Sequence, residues 1–186
     1  AVPYSAYLFY KFARHKDFDA YPQDDWGEVL TPAQMVGEAR RMIDQYGFGS
    51  IKLKGGVFHP DHDIEVMRAL GAAFPKDGLR LDPNAAWSVE QAIRVGQAIE
   101  GLNNEYFEDP TWGLEGMRRL RQFVRIPTAT NTVVVNFEQL AANIRLEAVD
   151  VILLDTTFWG GLRQAHKAGQ VLETFQYGAS VHSSGE

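Results

Sequence analysis

Three oxygen-bearing side chains, Asp82, Glu108 and Asn131, stand at the ends of three consecutive apolar segments of the sequence. If these segments are neighbouring parallel strands, which lie roughly 4.8 Å apart, the three side chains converge on one point. Carboxylate and amide oxygens suit a hard cation such as Mg²⁺, which keeps positions open for water or substrate. A single acid at a strand end more often caps a helix, but three in register favour a metal site.

Two lysines, Lys52 and Lys54, lie two residues apart in another apolar segment, and Gly55 and Gly56 follow them. Because side chains alternate along a strand, both ammonium groups point to the same face. Two inward cations repel each other, so the pattern favours a site that holds anions or a metal-bound ligand. The glycine pair lets the backbone approach such a pocket closely.

Asp155 and His182 end the last two apolar segments. An aspartate beside a histidine orients the imidazole and strengthens it as a general base. In a closed ring of eight strands, Lys54 and His182 lie on opposite sides of the predicted metal site. This suits proton removal from either face of a carbon next to a metal-bound carboxylate. Asn84 follows Asp82 by two residues and is predicted either to reach the substrate or to form an Asx turn.

The apolar segments that position these residues lie mostly about 23–30 residues apart, which is the length of one βα unit. The predicted strands are residues 4–10, 50–54, 79–82, 105–108, 128–131, 151–155 and 179–182. Helix-start signals lie between the strands. Thr31 precedes Pro32 as a cap, and capping-box patterns begin at Ser88 and Asn136.

Alternating strands and helices predict a parallel sheet with helices outside, as an open doubly wound sheet or a closed eight-stranded barrel. Six of the seven predicted strands carry Lys, Asp, Glu, Asn or His in their last one or two positions, which is typical of the barrel. The glycine fingerprint of a dinucleotide-binding sheet is absent from the sequence. We therefore predict an α/β fold of the (β/α)8 TIM-barrel type, incomplete here, with residues 1–186 forming one catalytic domain of a longer chain.

Composition limits the classes of partner. The chain is 45% hydrophobic and 23% charged, which is ordinary for a globular domain, and its net charge is −6 without a basic run. Nucleic acid and membranes are therefore not expected partners. There is no cysteine, so thiolate metal sites and disulfides are excluded. No long apolar run or signal peptide pattern is visible, and we expect a cytoplasmic protein that forms a homo-oligomer.

Several motifs together resemble one known group of enzymes. The motifs are Lys-Leu-Lys-Gly-Gly at 52–56, Leu-Asp-Pro-Asn-Ala-Ala-Trp at 81–87, Glu-Asp-Pro at 108–110, Pro-Thr-Ala-Thr-Asn at 127–131 and His-Ser at 182–183. They look like the glucarate dehydratase group of the enolase superfamily, and the resemblance covers essentially the whole chain. Enolase-superfamily sites use Lys or His bases with Mg²⁺. The resemblance also implies a capping domain before residue 1 and a last barrel strand after residue 186.

The resemblance implies a role for each candidate residue. Mg²⁺ is held by Asp82, Glu108 and Asn131. The implied catalytic residues are Lys54, His182, Asp155, Lys52 and Asn84. The implied substrate-binding residues are Tyr7, Phe9, Lys52, Asn84, His182 and Ser183. The implied reaction is dehydration of a hexarate acid sugar such as D-glucarate, through α-proton abstraction and loss of the β-hydroxyl by way of a metal-stabilised enediolate.

Other functions use parts of the same residue set. A racemase or epimerase of a 2-hydroxy acid needs the same metal and bases but no leaving hydroxyl. A Schiff-base aldolase would use Lys54 without a metal. A barrel that binds a ligand without turnover is the non-enzymatic alternative, although no acid, base or metal-ligand position is missing from this chain.

Overall fold

The computed structural model describes residues 3–12 and 27–182 and contains a parallel sheet of seven strands. The strands are β1 (Ala6–Leu8), β2 (Ser50–Lys54), β3 (Gly78–Asp82), β4 (Asn104–Glu108), β5 (Thr128–Thr130), β6 (Val151–Leu153) and β7 (Gly178–Ser180). Each strand pairs in parallel with the next, in the order β1 to β7. This sheet of consecutive parallel strands, with helices between them, confirms the predicted partial TIM-type barrel.

Six helices connect or flank the strands within the described residues. They are α1 (Pro32–Tyr46), α2 (Pro60–Ala73), α3 (Val89–Ile99), α4 (Leu114–Arg121), α5 (Phe137–Leu146) and α6 (Leu162–Phe175). In the described part of the chain, no helix combines the length and the apolar character that crossing a membrane requires.

The helix starts follow the predicted capping chemistry with one difference. Thr31 and Ser88 form complete capping boxes at α1 and α3, in which a backbone N–H at each end of the first turn finds a side-chain acceptor. Asn136 caps α5 by accepting from the backbone N–H of Gln139. The side chain of Gln139, however, accepts from the backbone of Val135 instead of closing the box on Asn136.

The alternation along the strands separates the core from the site. Leu53 and Leu81 are register partners on β2 and β3 and are almost completely buried in the main hydrophobic cluster. Full burial of such a side chain contributes about 1.5–3 kcal/mol. Lys54 and its register partner Asp82 therefore project from the opposite face of the same two strands. Packing of the leucines in the core thus directs the charged side chains toward the inside of the barrel.

Four predicted strands extend past the ends of the observed ones. The first covers Ala6–Leu8 rather than residues 4–10, the sixth ends at Leu153 before Asp155, and the seventh ends at Ser180 before His182. The reason is visible at Asp155, whose Oδ1 accepts from the backbone N–H of Thr157 and turns the chain away from the sheet. Asn131 likewise follows β5 instead of ending it. These polar residues occupy the loops directly after the strands.

Candidate active site

Lys52 and Lys54 converge on one carboxylate at the end of β3. The Nζ atoms of Lys52 and Lys54 lie 3.0 Å and 2.8 Å from the same oxygen, Oδ2 of Asp82. Asp82 is completely buried, and its charge offsets the repulsion between the two ammonium groups. The same-face arrangement predicted from the two-residue spacing is thus confirmed.

The ammonium of Lys52 also contacts the acid at the end of the next strand. Its Nζ donates to Oε2 of Glu108 at 2.6 Å, and both residues are buried. Burial raises the pKa of the Glu108 carboxyl to about 8, and the neighbouring charge of Asp82 adds to the rise while Lys52 opposes it. Lys52 therefore joins two acids that come from different strands.

The pKa values of the other two partners reflect the same charges. Burial lowers the pKa of Lys52, but Glu108 and Asp82 raise it more, so the net shift is upward. Burial raises the pKa of Asp82, but Lys52 and Lys54 outweigh that effect, so its net shift is downward. The charges of the two lysines and the two acids are thus interdependent, because each lysine stabilises the ionised acid that it contacts whereas the two acids disfavour each other's ionisation.

Two of the predicted metal ligands each have one buried side-chain oxygen whose hydrogen bonding is incomplete in the described part of the chain. Oε1 of Glu108 and Oδ1 of Asn131 make no hydrogen bond among the described residues. Leaving such acceptors unpaired costs free energy, which a cation would offset. No group of three or more His, Asp or Glu side chains in residues 3–12 and 27–182 is arranged to hold a metal. The predicted set contains only two carboxylates and an amide, and its donor chemistry fits Mg²⁺.

Asp109 is a central residue of the site that the sequence prediction did not single out. Its side chain is fully buried and accepts from the Thr130 hydroxyl at 2.5 Å and from the Asn131 backbone N–H at 2.9 Å. Its own carbonyl accepts from the Ala85 backbone N–H at 2.6 Å. Asp109 therefore connects the loops that follow β3, β4 and β5. Its position beside Glu108 in Glu-Asp-Pro was the available signal.

Asn84 lies in the Asx turn that begins at Asp82 and also contacts Lys54, whereas its contact with a substrate stays a prediction. Its backbone N–H donates to Oδ1 of Asp82 at 2.9 Å, which forms an Asx turn directly after β3. Its side-chain Oδ1 accepts from the Nζ of Lys54 at 3.1 Å. Asn84 has a φ of 54°, in the left-handed region that asparagine tolerates better than most residues. The turn thus places an amide against the predicted base.

His182 and Asp155 meet at the far end of the strand order, after β7 and β6. Nδ1 of His182 lies 2.9 Å from Oδ2 of Asp155, which is almost completely buried. The aspartate holds the ring by one nitrogen and leaves Nε2 as the nitrogen that can act on another molecule. The geometry is that of an oriented histidine base.

Several of these residues line one cavity of about 610 Å³. Its lining residues include Tyr7, Lys52, Tyr106 and His182. The Nζ of Lys52 lies 4.8 Å from the centre of the Tyr7 ring. Phe9 packs against Tyr7 with ring centres 4.4 Å apart but is not among the residues that line this cavity.

Of the predicted substrate-binding residues, Ser183 falls outside the described part of the chain. The structure thus brings Lys52, Lys54, Asn84 and Asp82 into one connected group, with Glu108 joined through Lys52. The pair of His182 and Asp155 is a second group, and its histidine lines the same cavity as Lys52.

A partial barrel with charged groups at the carboxyl ends of its strands defines the class of protein, and comparison with known proteins identifies the family. Residues 34–186 match the family described as enolase C-terminal domain-like. This chain therefore belongs to that family. The resemblance to the enolase superfamily inferred from the sequence motifs is confirmed.

Two curated relatives of known description are similar to most of this chain. The chain is 45% identical over 184 residues to a probable glucarate dehydratase of Streptomyces coelicolor, covering 99% of this chain and 42% of that protein. It is 31% identical over 152 residues to an L-Ala-D/L-Glu epimerase of Clostridium acetobutylicum, covering 79% of this chain and 42% of that protein. The chain therefore spans less than half the length of these curated relatives.

A solved structure agrees with the fold and was obtained with a metal. The crystal structure of an enolase from Thermobispora bispora, complexed with magnesium and formate, is 48% identical to this chain and superposes with a TM-score of 0.93. The match covers 100% of this chain and 43% of that one. A divalent metal is thus present in a protein closely similar to this one.

Proposed function

We propose that the full-length protein containing this chain dehydrates a hexarate acid sugar, D-glucarate or a close relative, with Mg²⁺ as cofactor. The observation that carries the proposal is that two predicted ligands, Glu108 and Asn131, each have a buried side-chain oxygen without a hydrogen-bond partner among the described residues, while the other oxygen of Glu108 contacts the Lys52 ammonium. The probable glucarate dehydratase of Streptomyces coelicolor, at 45% identity, supports this substrate class.

In this proposal Asp82, Glu108 and Asn131 hold the metal. The chemistry that Mg²⁺ supplies when bound is neutralisation of negative charge on the substrate carboxylate. Lys52 lies beside two of the three ligands, so its ammonium is placed to stabilise the oxygen that becomes negative as the α-proton leaves. With this charge stabilised, the group that removes the α-proton needs less basicity.

Lys54 and His182 are the two proposed bases. Each accepts the α-proton from its own face of the substrate carbon, according to the configuration of that carbon. A protonated base then gives a proton to the departing β-hydroxyl, and the pair of electrons from the α-carbon forms the new double bond. Water leaves, and the enol product becomes a keto-deoxy sugar acid. Positioned acid and base groups contribute about 10²–10⁴-fold to such steps.

The remaining residues orient these groups and the substrate. Asn84 contacts the ammonium of Lys54, and Asp155 holds the ring of His182. Tyr7 lines the cavity beside Lys52, and we propose that it contacts the substrate together with Phe9 and Ser183.

The test uses the full-length protein with Mg²⁺ and a panel of acid sugars in D₂O. We expect keto-acid product from D-glucarate or a close relative, and loss of product when EDTA removes the metal. The double variant Lys54→Met with His182→Asn is the control, because it keeps the ligands and removes both bases. Absence of product and of deuterium exchange with every acid sugar would contradict the proposal.

Epimerisation is the second candidate, because two oriented bases can remove and return one proton from opposite faces. The 31% identical epimerase of Clostridium acetobutylicum supports it. The same D₂O experiment separates the two functions. Deuterium at the α-carbon without keto-acid product favours the epimerase, whereas keto-acid product favours the dehydratase.

A further inference from the structure

Asp63 is a completely buried carboxylate that lies outside the residues assigned above. It belongs to the first turn of α2, and its two oxygens serve two different parts of the chain. Oδ1 accepts from the Tyr10 hydroxyl at 2.5 Å, and Oδ2 accepts from the backbone N–H of Gly56 at 2.9 Å. One side chain therefore joins the segment after β1 to the turn after β2.

The turn that Asp63 contacts directly follows the proposed base. Gly55 donates its backbone N–H to the carbonyl of Asp82 at 2.9 Å, and Gly56 donates to Asp63. Both residues after Lys54 are thus tied to other elements. The backbone downstream of Lys54 is held between β3 on one side and α2 on the other.

There is no free space around this turn. A Cβ added to Gly55 would lie 2.9 Å from Oδ2 of Asp63. A Cβ added to Gly56, which has a φ of +79°, would lie 2.6 Å from the carbonyl oxygen of Pro83. Glycine is therefore required at position 56, and a side chain at position 55 would press on Asp63 itself, so the turn fits closely between Asp63 and the loop after β3.

We propose that Asp63 is a positioning residue for Lys54, an inference that rests on the proposed function. Its carboxylate fixes the Gly55–Gly56 turn and thereby the direction from which the Lys54 ammonium approaches the substrate. The carboxylate is suited to this role because it offers one acceptor to the turn and a second to Tyr10. Displacement of a catalytic group by about 1 Å can cost about 10²-fold in rate.

The test measures proton removal from each face of the substrate α-carbon separately. Two hexarates that differ only in the configuration at the α-carbon are incubated with full-length protein and Mg²⁺ in D₂O, and α-proton loss is followed by NMR. Lys54→Met defines the epimer whose proton Lys54 removes, and His182→Asn defines the other. If neither variant discriminates between the epimers, the proposed function is wrong, whatever the behaviour of Asp63.

Variants at Asp63 then test the inference. Asp63→Ala should lower proton loss on the Lys54 face by about 10-fold or more and leave the His182 face within about 2-fold. Asp63→Asn should restore most of the rate, because its oxygen accepts from Gly56 and its amide donates to the Tyr10 oxygen. If Asp63→Ala does not fold, Asp63→Ser replaces it, since a hydroxyl is too short to reach both donors.

Tyr10→Phe is the matched control. It removes the other hydrogen bond of Asp63 but leaves the bond to Gly56 in place. The rate of proton loss on the Lys54 face should therefore stay within about 2-fold of the wild-type rate. Equal losses on both faces in Asp63→Ala, or a loss in Tyr10→Phe as large as that in Asp63→Ala, would overturn the inference.

Discussion

The ammonium of Lys52 lies 2.6 Å from Oε2 of Glu108, while the other carboxylate oxygen of the same glutamate is buried without a hydrogen-bond partner among the described residues. Among the described residues, only one of the two carboxylate oxygens of Glu108 therefore contacts a cation. Burial raises its pKa to about 8 despite the lysine, which indicates that the single ammonium does not fully offset the cost of burying this charge. A cation beside the unpartnered oxygen would offset part of that cost.

Replacing Lys52 with Met should destabilise the metal-free protein by about 3–5 kcal/mol, because two buried carboxylates lose their shared cation. Mg²⁺ should restore part of the loss, since it would place positive charge beside the same carboxylates. The measurement is urea unfolding in EDTA and in Mg²⁺.

Arg80→Met is the control for Lys52→Met. Arg80 is the register partner of Lys52 and pairs with Glu105, but this pair is partly exposed and should contribute about 1 kcal/mol or less. Its stability should not respond to Mg²⁺. Equal responses of both variants to Mg²⁺ would mean that Lys52 has no special relation to the metal site.

Asp109→Asn should weaken Mg²⁺ binding by about 10-fold or more, as is typical when a group that orients a metal ligand is changed. The Thr130 hydroxyl oxygen accepts from the backbone N–H groups of Thr132 and Val133, so its hydrogen points to Asp109. With the Asn oxygen retained on the Asn131 N–H, the amide nitrogen would face that hydroxyl hydrogen. Calorimetric titration with Mg²⁺ measures the change.

The control for Asp109→Asn lies at the opposite end of β5. Asp150 also accepts from a backbone N–H and a hydroxyl, both of Thr128, but it is distant from the predicted ligands along the strand. Asp150→Asn should leave Mg²⁺ affinity unchanged while lowering stability. A comparable loss of affinity in both variants would point to general destabilisation.

The strand positions and the same-face lysines could be predicted from sequence because both depend on local patterns. Apolar runs identify strands, and alternation of side chains requires Lys52 and Lys54 to share a face. The convergence of Lys52 on Asp82 and Glu108 follows once these strands are neighbours in a parallel sheet. The shared face of the two lysines was therefore predicted from the local pattern, whereas the contacts of Lys52 with Asp82 and Glu108 emerged only from the structure.

Asp63 and Asp109 could not be predicted in the same way, because their roles depend on contacts between distant segments. In sequence, Asp63 is an ordinary acid in the first turn of a helix, where it complements the helix dipole. Only the folded chain brings it to Tyr10 and Gly56. The strand ends were also overestimated at Asp155, because an Asx turn and a strand end carry similar residues.

Asp155→Asn should reduce proton loss on the His182 face by about 10²-fold and spare the Lys54 face. Oδ1 of Asp155 accepts from the Thr157 N–H, so an Asn would retain its oxygen there and turn its amide nitrogen toward His182. The ring would then accept at Nδ1 and carry its proton on Nε2, which removes the free base. The two-epimer NMR assay measures both faces, and equal losses would contradict this role.

The stability of the protein should depend on pH through the Asp63 carboxyl. Burial raises the pKa of its carboxyl, and hydrogen bonds from Gly56 and Tyr10, with the nearby His62, only partly oppose this rise. The folded protein therefore binds this proton more tightly than the unfolded chain. The stability contributed by the protonated form is present below the unfolded pKa and is lost as pH rises through the folded pKa.

Asp63→Asn does not titrate, so its unfolding free energy should improve relative to the wild type as pH rises above about 4. Urea unfolding from about pH 4 to 7, repeated in a His62→Gln background to remove the imidazole charge, measures the difference.

Asp61→Asn is the matched control in the same helix turn. Asp61 is exposed, and its hydrogen bond with Arg94 lowers its pKa, so wild-type stability relative to Asp61→Asn should be lost as pH falls. Slopes of the same sign in both variants would contradict the conclusion that burial raises the pKa of Asp63.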